Sequence, residues 1–350
     1  METDGFDSPL SAWLSARFAS SAEQALSAEL ARWRGISPQA ANQQLRKHVA
    51  AGALSVRAQG RRNLYRLTPV RQVSVAYARA EVREDRVWSD DVAPLLAGFA
   101  SPEAMRVLEF GVTEIVNNAH DHSEGTTVCV RVEVDLAFTC VIVSDDGEGI
   151  FARIKRLCGL LDAHESLLEL AKGKLTTDPA HHSGEGVFFT SRALDHFEIR
   201  SSGLTFSHLR GRKDILFDHA SDAVGTTVVM RHAHTSPTRL SAVFDEYAAP
   251  DEFTFDKTVV PLRLAVYGNE NLMSRSQAKR VLSRVERFRT VLFDFDGVAY
   301  VGQGFADEIF RVFANEHPGT ELVPINANAD IGQMVSRAMR GRGSPAPAGG

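Results

Sequence analysis

Four polar side chains recur at helical spacing in the segment 106–123. They are Glu114, Asn117, Asn118 and Asp121. Offsets of three and four residues place them on one face of a helix, and the polar stripe contains no Lys or Arg that would neutralise its two carboxylates. The apolar stripe of the same helix consists of Val112, Ile115, Val116 and Ala119. Carboxylate and amide oxygens can bind a hard cation or a polar ligand, so the pattern indicates a site rather than a solvated surface.

Glycine and polar residues also cluster where predicted strands or helices begin or end. The apolar strand 138–143 runs into a loop with Asp145, Gly147 and Gly149. Two later segments are Gly184-Glu185-Gly186, before a predicted helix, and Gly225-Thr226-Thr227, before a predicted strand. Glycine permits close backbone approach to a ligand, and helix N-terminal amides suit phosphate. A carboxylate at a strand end can accept a hydrogen bond from an exocyclic amine.

In this order and spacing, the four elements resemble the ATP-binding fold of gyrase, Hsp90, histidine kinases and the mismatch-repair ATPase, called the GHKL superfamily. The resemblance covers about residues 75–235 and implies an α/β sandwich that binds ATP and Mg²⁺. It implies that Asn118 holds Mg²⁺, that Asp145 binds the adenine amino group, and that Thr226 or Thr227 closes the adenine pocket. The other residues expected at the nucleotide are Asn117, Asp121, Gly147, Gly149, Ile150, Gly184, Gly186 and Val187. Gly184 and Gly186 would contact phosphates, and the segment 151–183 would form a mobile lid.

Glu114 is the residue from which we expect chemistry. It lies one helical turn before Asn118, so its carboxylate can act as a general base on a water or a hydroxyl group. The resemblance leaves three outcomes open: ATP hydrolysis, transfer to a partner's Ser or Thr as in the anti-sigma-factor kinases, or ATP binding without turnover. A sensor histidine kinase is disfavoured, because residues 71–105 offer no acceptor histidine in a dimerising helical hairpin.

Positive charge is concentrated in residues 31–70. The segment contains no Asp or Glu and the basic residues Arg32, Arg34, Arg46, Lys47, Arg57, Arg61, Arg62 and Arg66. Its formal charge is therefore +8, whereas the whole chain has a formal charge of −5. A module of this charge is suited to a polyanion.

Helices are predicted over residues 21–33 and 38–51, and a hairpin over residues 53–67. Together they resemble a winged-helix DNA-binding domain that covers about residues 1–70. On that interpretation Gln43, Arg46 and Lys47 reach base edges in the major groove of duplex DNA. The residues expected to neutralise phosphates are Arg57, Arg61 and Arg62. The alternative is a winged helix that docks a protein or dimerises, with a solvated basic face.

The C-terminal part alternates predicted strands (259–267, 290–295, 320–326) with predicted helices (274–288, 305–316, 331–339). The segment 291–298 includes Asp294-Phe295-Asp296-Gly297, but too few residues follow it for a haloacid-dehalogenase phosphatase. The order resembles a STAS-like domain, the fold of the anti-anti-sigma proteins. Residues 300–305 contain no Ser or Thr, so the phosphorylatable serine of those proteins is missing there.

These observations predict a three-domain α+β protein of 350 residues. The domains are a winged helix (1–70), a GHKL-type ATPase domain (71–235) and a small α/β STAS-like domain (236–340), followed by a flexible tail (341–350). No apolar run is long enough to span a membrane, and three sparse cysteines fit the reducing cytoplasm. We expect an ATP-responsive regulator of DNA binding. A homodimer and a protein that binds the STAS-like domain are further expected partners.

Overall fold

The computed structural model describes residues 8–173, 184–212, 214–218, 224–247, 256–266 and 271–340. The chain divides into two units, one made of residues 1–149 and 190–240 and the other of residues 150–189 and 241–350. The prediction of a mixed α+β chain with more than one unit is confirmed. The predicted tail, residues 341–350, lies outside the described residues.

The described helices are α1 (Ser8–Phe18), α2 (Ser27–Arg34), α3 (Pro38–Ala50), α4 (Glu84–Arg86), α5 (Ala93–Leu96), α6 (Pro102–His122), α7 (Ile150–Cys158), α8 (Ala163–Lys172), α9 (Gly186–Ala193), α10 (Leu240–Tyr247), α11 (Arg275–Leu282), α12 (Gln303–Asp307), α13 (Ala314–Glu316) and α14 (Ala329–Arg340). π-Helical segments connect α4 to α5 (Val87–Val92) and α12 to α13 (Glu308–Phe313). The strands are β1 (Leu54–Gln59), β2 (Arg62–Leu67), β3 (Arg71–Ala78), β4 (Thr127–Val134), β5 (Phe138–Asp145), β6 (His196–Ser201), β7 (Leu204–Leu209), β8 (Ile215–Asp218), β9 (Thr226–Ala233), β10 (Lys257–Pro261), β11 (Thr290–Asp294) and β12 (Glu321–Ile325).

Three helices and a hairpin open the first unit. The Ser37 hydroxyl accepts a hydrogen bond from the Ala40 amide at 3.2 Å, and Pro38 follows in the first turn of α3, as the sequence predicts. β1 and β2 pair antiparallel around Gly60 and Arg61. Gly60 has φ of 60°, which suits the first central position of a type II′ turn. The core of these elements includes Trp13, Leu14, Leu30, Leu45 and Tyr65 and continues to Phe138 of β5.

α2 begins later than the sequence predicts. Its first residue is Ser27, whereas the predicted helix begins at about residue 21. Gln24 instead pairs with Tyr65 of β2: the Gln24 amide donates to the Tyr65 carbonyl at 2.9 Å and the Tyr65 amide donates back at 2.8 Å. Backbone hydrogen bonds to the hairpin thus replace those of a helical turn, a pairing between distant residues that local sequence does not reveal.

The strands β3 to β9 form one antiparallel sheet with the spatial order β3-β4-β5-β9-β6-β7-β8. Alternate residues of β4 are buried, as its valines predict, and α6 packs against β5 and β9. A Cβ atom on Gly111, in the middle of α6, would lie 3.2 Å from Thr190 Cγ2 and 3.4 Å from Met230 Sδ. Glycine destabilises a helix interior by about 1 kcal/mol relative to alanine. The close packing of α6 accounts for its presence there.

The second unit contains the parallel sheet β10-β11-β12. The predicted order of strands and helices is observed in the described residues. The first predicted strand, 259–267, was wrong in its bounds, because β10 ends at Pro261 and Leu262–Ala265 form a 3₁₀ turn. Residues 267–270 lie outside the described residues. Proline has no N–H group with which to continue the hydrogen bonding of a strand.

The segment predicted as a mobile lid is helical up to Lys172, and residues 174–183 lie outside the described residues. Every residue of α8 from Ser166 to Lys172 is buried. The Lys172 ammonium donates to Glu169 Oε1 at 2.6 Å and to the Ser283 carbonyl at 2.8 Å, and the Thr258 hydroxyl donates to the Lys172 carbonyl at 2.6 Å. Burial lowers the pKa of Lys172, and the Glu169 carboxylate opposes that shift. α8 is therefore fixed within the second unit by its hydrogen bonds with Ser283 and Thr258, and the ion pair between Glu169 and Lys172 lies within the helix itself.

In the described part of the chain, no helix combines the length and apolar character that a membrane crossing requires. Cys129, Cys140 and Cys158 are free thiols, and Cys129 is exposed.

Candidate functional site

The polar stripe of α6 lies on the side of the helix that faces away from the buried apolar stripe. Glu114, Asn117 and Asn118 are partly exposed and Asp121 is exposed. Asp121 Oδ1 lies 2.6 Å from Nδ1 of the adjacent His120, so this carboxylate has a hydrogen-bond partner on its own helix. The helix thus presents carboxylate and amide oxygens on one accessible face, as its spacing predicts.

Asp145 ends β5 beside the first residues of β9. Its Oδ1 atom accepts hydrogen bonds from the Gly147 amide at 2.9 Å and from the Thr226 amide at 3.3 Å. The hydroxyls of Ser144 and Thr227 lie 3.1 Å apart. Burial raises the pKa of Asp145, and the two amide hydrogen bonds act in the opposite direction. The structure therefore brings together Asp145, Thr226 and Thr227, which the sequence separates by about 80 residues.

The glycines of this region are required by contacts with the protein's own backbone. A Cβ atom on Gly147 would lie 1.8 Å from the Ser123 carbonyl oxygen, and one on Gly225 would lie 1.9 Å from the Asp145 carbonyl oxygen. Gly149 has φ of 91°, and a Cβ there would lie 2.5 Å from Ser201 Oγ. Gly147 and Gly149 are predicted to lie at a ligand, but packing against the protein's own atoms already accounts for both glycines. Their role at a nucleotide stays a prediction.

Asp146 organises the loop, although the sequence analysis gave it no role. Its carboxylate accepts hydrogen bonds from the Thr126 amide at 2.7 Å, the Thr127 amide at 2.9 Å and the Thr126 hydroxyl at 2.6 Å. These bonds, led by that from the Thr126 hydroxyl, lower the pKa of Asp146 to about 2. The Glu148 amide also donates to the Ser123 carbonyl at 3.0 Å. The end of α6, the start of β4 and the end of β5 are thereby joined.

The remaining residues predicted at the nucleotide belong to the second unit. Ile150 opens α7, Gly184 has φ of 72°, Gly186 opens α9 and Val187 follows it. All four are partly buried. Gly184 lies in the left-handed region that favours glycine, which agrees with a turn just before the helix.

The described residues contain no group of three or more His, Cys, Asp or Glu side chains placed to hold a metal ion. Asn118, which is partly exposed on α6, can still contribute one oxygen ligand. Mg²⁺ usually keeps several waters and takes one or two protein ligands together with substrate phosphates. The residues present fit an ion shared with a phosphorylated ligand and do not fit an all-protein cage.

The eight basic residues of the segment 31–70 are exposed, as a polyanion site requires. On α3, Gln43, Arg46 and Lys47 are exposed. The hairpin residues Arg57, Arg61, Arg62 and Arg66 are exposed as well. Arg57 pairs across the hairpin with Leu64, Ser55 with Arg66 and Gln59 with Arg62. Paired residues share a face, so Arg57, Arg62 and Arg66 lie on one side of the hairpin.

Glu23 places a carboxylate beside this face of the hairpin. The formal charge of +8 for residues 31–70 does not include Glu23, because Glu23 precedes residue 31. Glu23 Oε2 accepts a hydrogen bond from Arg57 Nη2 at 2.6 Å. Glu23 stands next to Gln24, the residue that pairs with β2. No local signal in the sequence links residue 23 to residue 57.

The carboxyl ends of β11 and β12 are joined by side chains in the second unit. Asp294 Oδ1 accepts from the Asp296 amide and from Asn326 Nδ2, both at 2.9 Å. Gly302 immediately precedes α12.

Residues 277–331, from α11 into α14, match the family described as a STAS-like domain of unknown function (DUF4325). This match confirms the predicted resemblance for the C-terminal part of the chain. The comparison with curated proteins found no match.

We predict that Gly147→Ala destabilises the first unit. The new methyl group would overlap the Ser123 carbonyl, and overpacking of this kind typically costs about 1–3 kcal/mol. Gly319→Ala is the matched control, because nothing lies within 4 Å of the added Cβ. Urea denaturation followed by circular dichroism measures both. Equal stabilities for the two variants would show that the loop does not need glycine at position 147.

Proposed function

We propose that the protein is an ATP-binding regulator of GHKL type whose nucleotide state controls DNA binding by an N-terminal winged helix. The ATP-binding part of this proposal is supported by the hydrogen bond from the Thr226 amide, at the start of β9, to the Asp145 carboxylate. Both residues belong to the unit that contains α6. Two segments far apart in sequence meet there, each with the residue type that the proposed adenine pocket needs.

In this proposal Asp145 recognises the adenine amino group. Its carboxylate is partly buried and can accept a further hydrogen bond, and the exocyclic amine of adenine is a donor. Thr226 or Thr227, at the start of β9, closes the pocket. Gly147 and Gly149 line it. Ile150, Gly184, Gly186 and Val187 belong to the second unit, and their assignment to the nucleotide rests on the resemblance alone. Neutral or anionic, Asp145 keeps an acceptor oxygen, so its raised pKa is compatible with this role.

The polar face of α6 supplies the remaining groups. Asn118 would hold Mg²⁺, which neutralises phosphate charge when bound, and Asn117 and Asp121 would lie beside the nucleotide. Glu114 lies one turn before Asn118, and its carboxylate accepts the proton of an attacking water in the proposed hydrolysis. The same carboxylate can accept the proton of a Ser or Thr hydroxyl, so a protein kinase of the anti-sigma-factor type is the second candidate.

The DNA-binding part of the proposal rests on charge and exposure. The formal charge of +8 in residues 31–70 is borne by side chains that are all exposed. α3 would present Gln43, Arg46 and Lys47 to base edges in the major groove of duplex DNA. The hairpin residues Arg57, Arg61 and Arg62 would neutralise phosphates. A winged helix that docks a protein is the alternative.

ATP binding would control DNA binding by residues 31–70 only if ATP binds more tightly to one conformation of the chain than to another. The free thiols fit a cytoplasmic protein. A homodimer, and a protein partner for the STAS-like domain, would be additional parts of such a regulator.

The first prediction of this proposal concerns ATP affinity. Asp145→Asn replaces an acceptor oxygen by an amide donor and should weaken ATP binding by roughly 1–3 kcal/mol. Asn118→Ala should weaken Mg²⁺-dependent binding and leave Mg²⁺-free binding nearly unchanged. Isothermal titration calorimetry with and without Mg²⁺ measures both. ATP affinity equal to wild type in both variants would refute the assignment of this site.

The second prediction separates binding from chemistry. Glu114→Ala should slow phosphate release on the order of 10²-fold and leave ATP affinity close to wild type, because only the proton acceptor is removed. Phosphate release is measured alone, with DNA and with candidate partner proteins. Phosphate found on a partner instead of in solution identifies the kinase. If the wild type turns over no ATP under any of these conditions, a binding module remains.

The third prediction concerns salt. A winged helix that neutralises about four to six phosphates should give a slope of log K against log salt of about −4 to −5. Arg61→Ala/Arg62→Ala should weaken binding to all sequences and reduce the slope by about 0.9 for each phosphate that is no longer neutralised. Gln43→Ala should instead change sequence preference.

Fluorescence anisotropy with duplex DNA, with and without a non-hydrolysable ATP analogue, measures these effects. If the analogue does not change the affinity for duplex DNA, the proposed coupling between nucleotide state and DNA binding is refuted. Absence of binding at low salt favours the protein-docking alternative.

A further inference from the structure

The carboxylate of Glu23 lies among the guanidinium groups of the proposed DNA-binding hairpin. Glu23 Oε2 and Arg57 Nη2 are 2.6 Å apart, and the positive charge of Arg66 also acts on Glu23. The Arg57 side chain is 59% exposed and the Glu23 side chain 35% exposed. The pair is therefore on the surface, where a ligand can reach it.

The position of Glu23 is set by the backbone. Gln24 is bonded to Tyr65 of β2 through both its amide and its carbonyl, and the Gln24 side chain donates to the Arg17 carbonyl at 2.8 Å. Before it, the Ser21 hydroxyl donates to the Glu23 carbonyl at 2.9 Å. These bonds fix residues 21–24 beside the hairpin, so Glu23 is held next to Arg57 by the fold.

Arg57 is one of the residues that the proposed function assigns to phosphate. A carboxylate and a phosphate use the same N–H groups of a guanidinium, so binding of one opposes binding of the other. The hydrogen bond from Arg57 lowers the pKa of Glu23, and the carboxylate is ionised at neutral pH. An exposed ion pair of this kind is weak enough for a phosphate to displace it.

We propose that Glu23 is an intramolecular competitor that occupies Arg57 in the free protein and limits how tightly the hairpin binds duplex DNA. This inference rests on the proposed DNA binding. Glu23 would then regulate DNA affinity, because any change that separates its carboxylate from Arg57 leaves the Arg57 guanidinium available to a DNA phosphate. Displacement of residues 21–24 from β2 would have that effect.

The test is Glu23→Gln in the full chain, which removes the charge and keeps the shape of the side chain. Affinity for a fluorescent duplex should rise about two- to fivefold, the range expected for loss of an exposed ion pair. The slope of log K against log salt should steepen by up to about 0.9, because the phosphate contact of Arg57 is no longer offset by a displaced carboxylate that takes up a cation.

Glu29→Gln is the matched control. Glu29 Oε2 accepts from Arg17 Nε at 3.0 Å, and its side chain is 39% exposed, so this variant removes a similar ion pair and the same charge from the same module. Its effect on affinity and slope should be smaller than that of Glu23→Gln. In an Arg57→Ala background, Glu23→Gln should have no effect beyond that of Glu29→Gln. Circular dichroism verifies that each variant is folded.

Three results would overturn the inference. Equal gains from Glu23→Gln and Glu29→Gln would mean that only net charge matters. Weaker binding by Glu23→Gln would mean that Glu23 orients Arg57 for DNA instead of competing with it. If neither wild type nor any variant binds duplex DNA at low salt, the proposed DNA function is refuted, and this inference is refuted with it. That outcome is distinct from the other two.

Discussion

The close approach of three backbone segments at the end of β5 determines the arrangement of the candidate site. The Ser123 carbonyl, after α6, lies where a side chain on Gly147 would be, and the Asp145 carbonyl lies where a side chain on Gly225 would be. Asp145 can meet the Thr226 amide only because these glycines leave room for the backbone. The position of the polar stripe of α6 depends on the same contacts, since α6 ends at this loop. The carboxylate, the threonines and the helix are therefore placed by one steric constraint.

Adjacent carboxylates in that loop have opposite environments. Asp145 is partly buried and its pKa is raised, whereas exposed Asp146 receives three hydrogen bonds from Thr126 and Thr127 and its pKa falls to about 2. Asp146 is suited to a structural role, because its charge is stabilised by groups that the fold supplies. Asp145 has the environment that more often accompanies recognition, where burial strengthens the contribution of each hydrogen bond. A sequence that reads Asp-Asp-Gly does not distinguish the two.

Elements with a strong local pattern could be predicted from the sequence. The cap at Ser37, the two stripes of α6, the alternating valines of β4 and the order of elements in the STAS-like part all follow from residues close together in the chain. The start of α2, the end of β10 and the burial of α8 could not be predicted as well. Gln24 pairs with a residue 41 positions away, and α8 is held by Thr258 and Ser283. Glu23 and Asp146 were missed for the same reason: their partners are distant in sequence.

The buried pair in α8 has a consequence for synthesis of the protein on the ribosome. Lys172 bonds to the carbonyl of Ser283, which is translated 111 residues later. At typical elongation rates this delay is on the order of ten seconds. During that interval Leu167, Leu168 and Leu170, all buried in the finished structure, have no completed sheet to cover them. A nascent chain stalled in this window would present an apolar helix with an ion pair still open to water, which is the kind of surface that chaperones bind.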